Sequence, residues 1–198
     1  MNKNLRLYAV LGAATVLGFA SCKDKNKVET PVTTEQELIT TLKVHLVNVN
    51  DAGDTRDFRY YVSNGFNGGG NPTIYIDTIR LRPSSTYNAT LTVLDESKSP
   101  AVNVTDEIRT EGVNHLFYYQ ASPLGNVPGA LAVSNLDKDV NGLPLGLTST
   151  WTTNVVDTTS GKIVITLKHK PLNKNATTPD AAGGETDLQA TFPTLLKP

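Results

Sequence analysis

Residues 137–143, Asp137-Lys138-Asp139-Val140-Asn141-Gly142-Leu143, put oxygen-bearing side chains at alternate positions. That spacing lets Asp137, Asp139 and Asn141 converge on one hard cation. The Leu143 carbonyl and waters complete the shell, and Gly142 permits the sharp turn. No cofactor is expected; weakly held calcium is the one candidate such a loop offers. A helix-flanked calcium loop would add a bidentate Glu at its twelfth position, but Thr148 stands there and Pro144 opposes a helix. The competing reading is a strand-connecting turn, where Asp, Asn and Gly are favoured for backbone reasons.

Other chemistry is sparse. His45, His115 and His169 are scattered, with no second His, Cys or carboxylate at ligand spacing, so zinc is not expected. There is no Gly-x-Ser-x-Gly elbow. The glycines and asparagines of residues 67–71 do not open a helix after a strand, so they form no phosphate loop. Asp95-Glu96 and Asp106-Glu107 are neighbours that face different ways and read as solvated charge rather than a glycosidase pair. Phe117, Tyr118 and Tyr119, with Tyr60, Tyr61 and Trp151, make either a carbohydrate-stacking face or, by alternation, a core. The chain is expected to be no enzyme; an envelope hydrolase is the weakest of the readings.

The elements that position these residues are strands. Leu42, Val44 and Leu46 alternate with Lys43 and His45, as a half-buried strand requires. Residues 51–54 read as a turn. Phe58, Tyr60 and Val62 alternate next, and residues 64–72 read as a mobile glycine–asparagine loop. Residues 73–82 read as one strand whose apolar phase shifts near Asp77-Thr78, which a bulge would explain. Further alternation marks strands at 87–93, 115–120, 130–136, 147–153, 163–168 and 187–192. Residues 103–111 are the single helical stretch after the N-terminal segment, with Asn103 or Thr105 as cap. Residues 171–185 read as a polar loop. About nine strands with regular turn signals imply an all-β fold, an antiparallel β-sandwich over residues 37–196. A division into two small units near residue 125 stays open.

The N-terminus carries an address. Lys3 and Arg6 precede an apolar run, residues 7–20, too short for a relaxed membrane span and suited to an export signal. Ala20 and Ser21 come just before Cys22, the chain's single cysteine. Residues 22–36 are polar and read as a flexible tether. Cleavage after residue 21 removes two basic residues and no acidic one, so the formal charge moves from −1 to −3. That balance argues against nucleic acid or anionic lipid as a partner. With no second cysteine, the fold must hold by its apolar core.

Phe19-Ala20-Ser21-Cys22 resembles the lipobox of bacterial lipoproteins, with Phe19 where Leu is usual, a looseness found in lipoproteins of the Bacteroidota. The resemblance implies lipidation of Cys22, residues 1–21 as a lipoprotein signal peptide, and a membrane partner reached through that anchor. It implies an outer-membrane cell-envelope address, periplasmic or surface-facing. An ordinary secretory signal with an incidental cysteine is the alternative. Asp24 among Lys23, Lys25 and Lys27 only partly resembles the acidic surface-export signal of that group.

Leu81-Arg82-Pro83-Ser84-Ser85-Thr86-Tyr87 resembles the tyrosine corner of fibronectin type III domains, with Ser85 in place of Thr. It implies an immunoglobulin/fibronectin-like sandwich and no activity. Asp77-Thr78-Ile79 with Leu81, His115-Leu116-Phe117-Tyr118, and residues 141–147 are similar to a group of uncharacterised flavobacterial lipoproteins. Asp77-Thr78-Ile79 and Asp157-Thr158-Thr159 also resemble the O-glycosylation motif of exported Bacteroidota proteins, which implies Thr158, in a turn, and Thr78, in a strand, as modification sites. The expected role is structural or binding, without catalysis; capture of a carbohydrate or a peptide or protein partner is the alternative.

Overall fold

The computed structural model describes residues 38–122, 124–125, 127–154 and 157–198. The expected signal peptide, Cys22 and the tether to residue 36 lie outside the described residues. In chain order the elements are β1 (Thr41–Asn48), β2 (Asp51–Val62), β3 (Ile74–Ile76), β4 (Ile79–Leu81), β5 (Thr86–Asp95), β6 (Val102–Asn103) and α1 (Thr105–Thr110). A 3-10 turn (Gly112–Asn114) leads into β7 (His115–Ala121), β8 (Leu131–Ser134), β9 (Thr148–Thr153), β10 (Thr159–His169), α2 (Pro179–Ala182) and β11 (Glu185–Leu196).

These strands make an all-β sandwich of two sheets. The first runs β3-β2-β1-β5-β9-β8, with β6 paired to the end of β5; the second runs β4-β11-β10-β7. Every pairing is antiparallel except that of β4 with β11. The alternating apolar residues do the expected work: Leu42, Val44 and Leu46 on β1 and Tyr87, Leu91 and Val93 on β5 share one core with Ile163, Ile165 and Leu167 on β10. Each such burial contributes ~1.5–3 kcal/mol. Strands from both sides of residue 125 pair within both sheets, β5 with β9 and β4 with β11, and feed that same core.

Four local readings are corrected. The strand expected at 73–82 is two strands in different sheets, so the phase shift at Asp77-Thr78 is a crossing between sheets and not a bulge. The turn expected at 51–54 sits earlier, at residues 49–50, where the Asn50 N–H donates to Asn48 Oδ1 at 2.9 Å, and β2 begins at Asp51. The eleven strands exceed the nine expected because β3, β4 and β6 are only two or three residues long. The stretch 171–185 holds α2, opened by Thr178 as cap (Ala181 N–H to Oγ1, 3.3 Å) and Pro179 at the first turn.

Helix α1 forms where expected, but its cap position is Val104, without a side-chain cap bond, and not Asn103 or Thr105. Asn103 Oδ1 accepts the Thr105 N–H at 3.1 Å. The Thr105 hydroxyl turns away from the helix end and bonds β5 instead, accepting from the Val93 N–H at 2.8 Å. The glycine-rich loop 64–72 is pinned at two points. The Phe66 N–H donates to the Ile39 carbonyl at 2.9 Å, and the Asn67 amide donates to the carbonyls of Thr186 (3.0 Å) and Asp187 (2.9 Å) in the other sheet.

Candidate functional site

At one end of the sandwich the apolar filling gives way to three ionisable side chains. β7 and β10 pair so that Tyr119 faces Ile165, Phe117 faces Leu167, and, one layer further out, His115 faces His169. β11 supplies the third group. Leu188 pairs with Leu167 and Thr186 with Lys168, so Asp187 is the extra residue of a bulge. Such an insertion turns a side chain out of its normal alternation. Asp187 is only 7% exposed and His115 6%.

His115 Nε2 lies 3.8 Å from Asp187 Oδ2, and His169 Nδ1 lies 3.8 Å from Asp187 Oδ1. The two imidazoles stack at 4.9 Å between centroids, 11° from parallel. His115 Nδ1 is 3.1 Å from the Glu111 carbonyl, which can only accept, so Nδ1 carries the proton and Nε2 the lone pair. Burial pushes the His115 pKa below its ordinary value; the Glu111 carbonyl opposes that, the nearby His169 adds to it, and the Asp187 and Glu111 charges oppose it. The three donors lie within 4.8 Å of one another, a gathering that could hold a metal ion. Spacing along the chain gave no sign of it. Only strand register brings His115 opposite His169, and only the bulge adds Asp187.

The loop considered for calcium is arranged around an ammonium group. Asp139 Oδ2 accepts from the Lys174 ammonium at 2.6 Å, while Oδ1 accepts the N–H groups of Asn141 (2.9 Å) and Leu143 (3.0 Å). The Leu143 carbonyl accepts the Asp139 N–H at 2.8 Å, and Asp137 Oδ1 accepts the Thr148 N–H at 2.9 Å. The cation against this loop is thus Lys174, whose ammonium also donates to the Gly112 carbonyl at 2.7 Å. Burial by itself raises the Asp139 carboxyl. The hydrogen bonds from Lys174, Leu143 and Asn141 and the ammonium charge outweigh it and hold the pKa below the ordinary carboxylate value.

The opposite end of the sandwich is closed by Asp54 and the tyrosine corner. The Arg82 N–H donates to the Tyr87 hydroxyl at 3.0 Å, and that hydroxyl donates to Asp54 Oδ2 at 3.1 Å. Asp54 also accepts from Arg56 Nε at 2.6 Å and Asn48 Nδ2 at 3.2 Å. Burial raises its pKa, but the bonds from Arg56, Asn48 and Tyr87 and the Arg56 charge bring it below the usual value.

The aromatic face does not form: Phe117, Tyr118 and Trp151 are buried, and Tyr119 packs edge-on against Trp151 with its hydroxyl on the Gly146 carbonyl at 2.6 Å. Beside β7 lies a groove of about 270 Å³ lined by Leu116, Tyr118, Val133, Leu136, Pro144 and Lys174. Ligand pockets usually run ~300–1,000 Å³. The carboxylate neighbours serve separate partners: Asp95 takes the Ser97 N–H, Glu96 meets Arg59 and Lys43, and Asp106 pairs with Arg109. Thr158 is exposed in the connection before β10, and Thr78 is half-buried at the sheet crossing. Among the described residues no helix is long and apolar enough to cross a membrane. Comparison with protein-family models, curated proteins and solved structures gives no match to this chain.

Proposed function

We propose that the chain is a lipid-anchored protein of the cell envelope, attached to the outer membrane through Cys22, with a structural or binding role for its sandwich and no catalysis. The observation that carries the reading is the placement of the one cysteine directly after a basic start, a short apolar run and two small residues. One acyl chain anchors only marginally and two or more anchor firmly, so a diacylated or triacylated Cys22 is sufficient on its own.

What the buried polar groups do supports the structural part of the reading. Asp54 braces a strand corner, and Asp139 with Lys174 ties two loops together. Both are roles in holding shape. The test is detergent phase partitioning of the chain expressed in a bacterial envelope, with mass analysis of its N-terminus. The expected result is a detergent-phase protein beginning at an acylated Cys22, and an aqueous-phase protein for Cys22→Ala. An unacylated N-terminus, or equal partitioning of the two forms, overturns it.

A further inference from the structure

We propose that His115, His169 and Asp187 form a binding site for a divalent first-row transition metal, with zinc the expected occupant. The inference is independent of the membrane address.

The first argument is donor chemistry. Two imidazoles and one carboxylate suit zinc and its neighbours, whereas calcium and magnesium call for shells of oxygen. Three protein ligands leave a further position for water or an incoming group. His169 is the partly exposed member of the set, while His115 and Asp187 are buried.

The second argument is the separation of the groups. A histidine and a carboxylate that simply hydrogen-bond close to ordinary distance, and this molecule contains such a pair: His45 Nδ1 and Asp57 Oδ1 stand 2.8 Å apart on the surface. At the buried cluster both His–Asp distances are 3.8 Å, too long for a hydrogen bond. Donors at ~2.0–2.1 Å around a tetrahedral zinc stand roughly 3.3–3.4 Å from one another. The two His–Asp separations are therefore a few tenths of an ångström from those of a ligand set, and the three donors, within 4.8 Å of one another, close further around an ion. The nearly parallel rings must tilt, because a metal lies in the plane of each imidazole that binds it. Rotation about the Cβ–Cγ bond of histidine is soft enough to allow this.

The third argument is support from outside the cluster. Metal-binding histidines characteristically donate their other N–H to a carbonyl or carboxylate, which fixes the free nitrogen toward the ion. His115 Nδ1 on the Glu111 carbonyl is that arrangement. The backbone that carries the carboxylate is held: Asn67 reaches from the other sheet to bond the main-chain carbonyls of both Thr186 and Asp187 at the bulge.

The experiment is titration of zinc ion alone into the full, untagged chain at neutral pH, followed by calorimetry, with cobalt ion as an optical probe. The expected result is one ion per chain and, with cobalt, intense visible bands of tetrahedral or five-coordinate geometry. His169→Gln, at the accessible side, should weaken binding at least tenfold and abolish the bands, and Asp187→Asn should do the same where it folds. His45→Gln should change neither. Absence of saturable binding overturns the proposal, and so does zinc binding that survives His169→Gln undiminished or is lost in His45→Gln.

Discussion

Asp139 and Lys174 meet as a buried ion pair, 2.6 Å between Oδ2 and Nζ, joining the loop before β9 to the segment before α2. Removing one partner of such a pair leaves the other charge buried and uncompensated, at a cost of about 3 kcal/mol. Lys174→Met or Asp139→Asn is expected to lower the urea midpoint accordingly, and the double substitution should recover much of the loss. A double substitution that costs the sum of the two single ones would show that the pair is not coupled. The same geometry bears on calcium. Because Asp139 already holds an ammonium and two N–H groups, millimolar calcium should leave the melting temperature unchanged. A calcium-dependent rise that vanishes in Asp139→Ala would restore the loop as a metal site.

The Tyr87 hydroxyl is the hub of the other end. It accepts from the Arg82 backbone and donates to Asp54 inside the core. Tyr87→Phe keeps the ring and removes both bonds, leaving a backbone N–H and a carboxylate oxygen short of a partner. The expected cost is about 1–3 kcal/mol, read by equilibrium unfolding. A neutral substitution would mean that water takes over both bonds.

Acid should destabilise the fold through two named carboxylates. Asp54 and Asp139 both titrate below the ordinary value of 3.8 in the folded state, so between the two values the unfolded chain binds more protons. Stability therefore rises with pH through that window. Their contribution is complete above 3.8 and is lost as pH falls through the folded values. Unfolding free energy measured from about pH 5 down to about pH 2 should show this fall, and Asp54→Asn or Asp139→Asn should each flatten it. An unchanged slope in both variants would assign the acid sensitivity elsewhere.

Gly184 allows β11 to start close to the end of β10. A Cβ at this position would meet the carbonyl oxygens of His169 at 2.4 Å and Lys170 at 2.5 Å, and its φ of +68° is in the left-handed region. Gly184→Ala must therefore push the two strand ends apart where His169 and Asp187 face each other. The expected outcome is a loss of about 1–3 kcal/mol, with a zinc affinity that falls further than that of an equally destabilised variant at the Tyr87 end. Equal affinity in the two variants would separate strand spacing from metal binding.

The alternation of apolar residues made the sandwich legible, because a strand with one buried face must repeat every second residue. What stayed hidden depends on partners far along the chain. The phase shift at Asp77-Thr78 looks the same in sequence whether the strand bulges or changes sheet. The Thr178-Pro179 start of α2 was present, but four residues give no periodicity to read. The Asp-x-Asp-x-Asn-Gly spacing was legible and led toward calcium, because nothing nearby in the chain announces Lys174. His115, His169 and Asp187 carry no local signature at all, since their proximity follows from register and a bulge. Tyr87 was the exception: its corner was readable from Leu81, Pro83 and the strand that follows, and its hydroxyl bonds where such a corner requires.

The parallel pairing of β4 with β11 has a bearing on how the molecule comes into being. β11 is the last strand in chain order, yet it lies between β4 and β10 in the second sheet. A chain emerging from its N-terminal end can assemble β1, β2 and β5 early. In the second sheet β7 and β10 can pair earlier, but β4 has no partner until residues 185–196 arrive. Contacts that join such distant segments form slowly, because loop closure must precede them. The sandwich should therefore reach its final state in one late step set by its last strand.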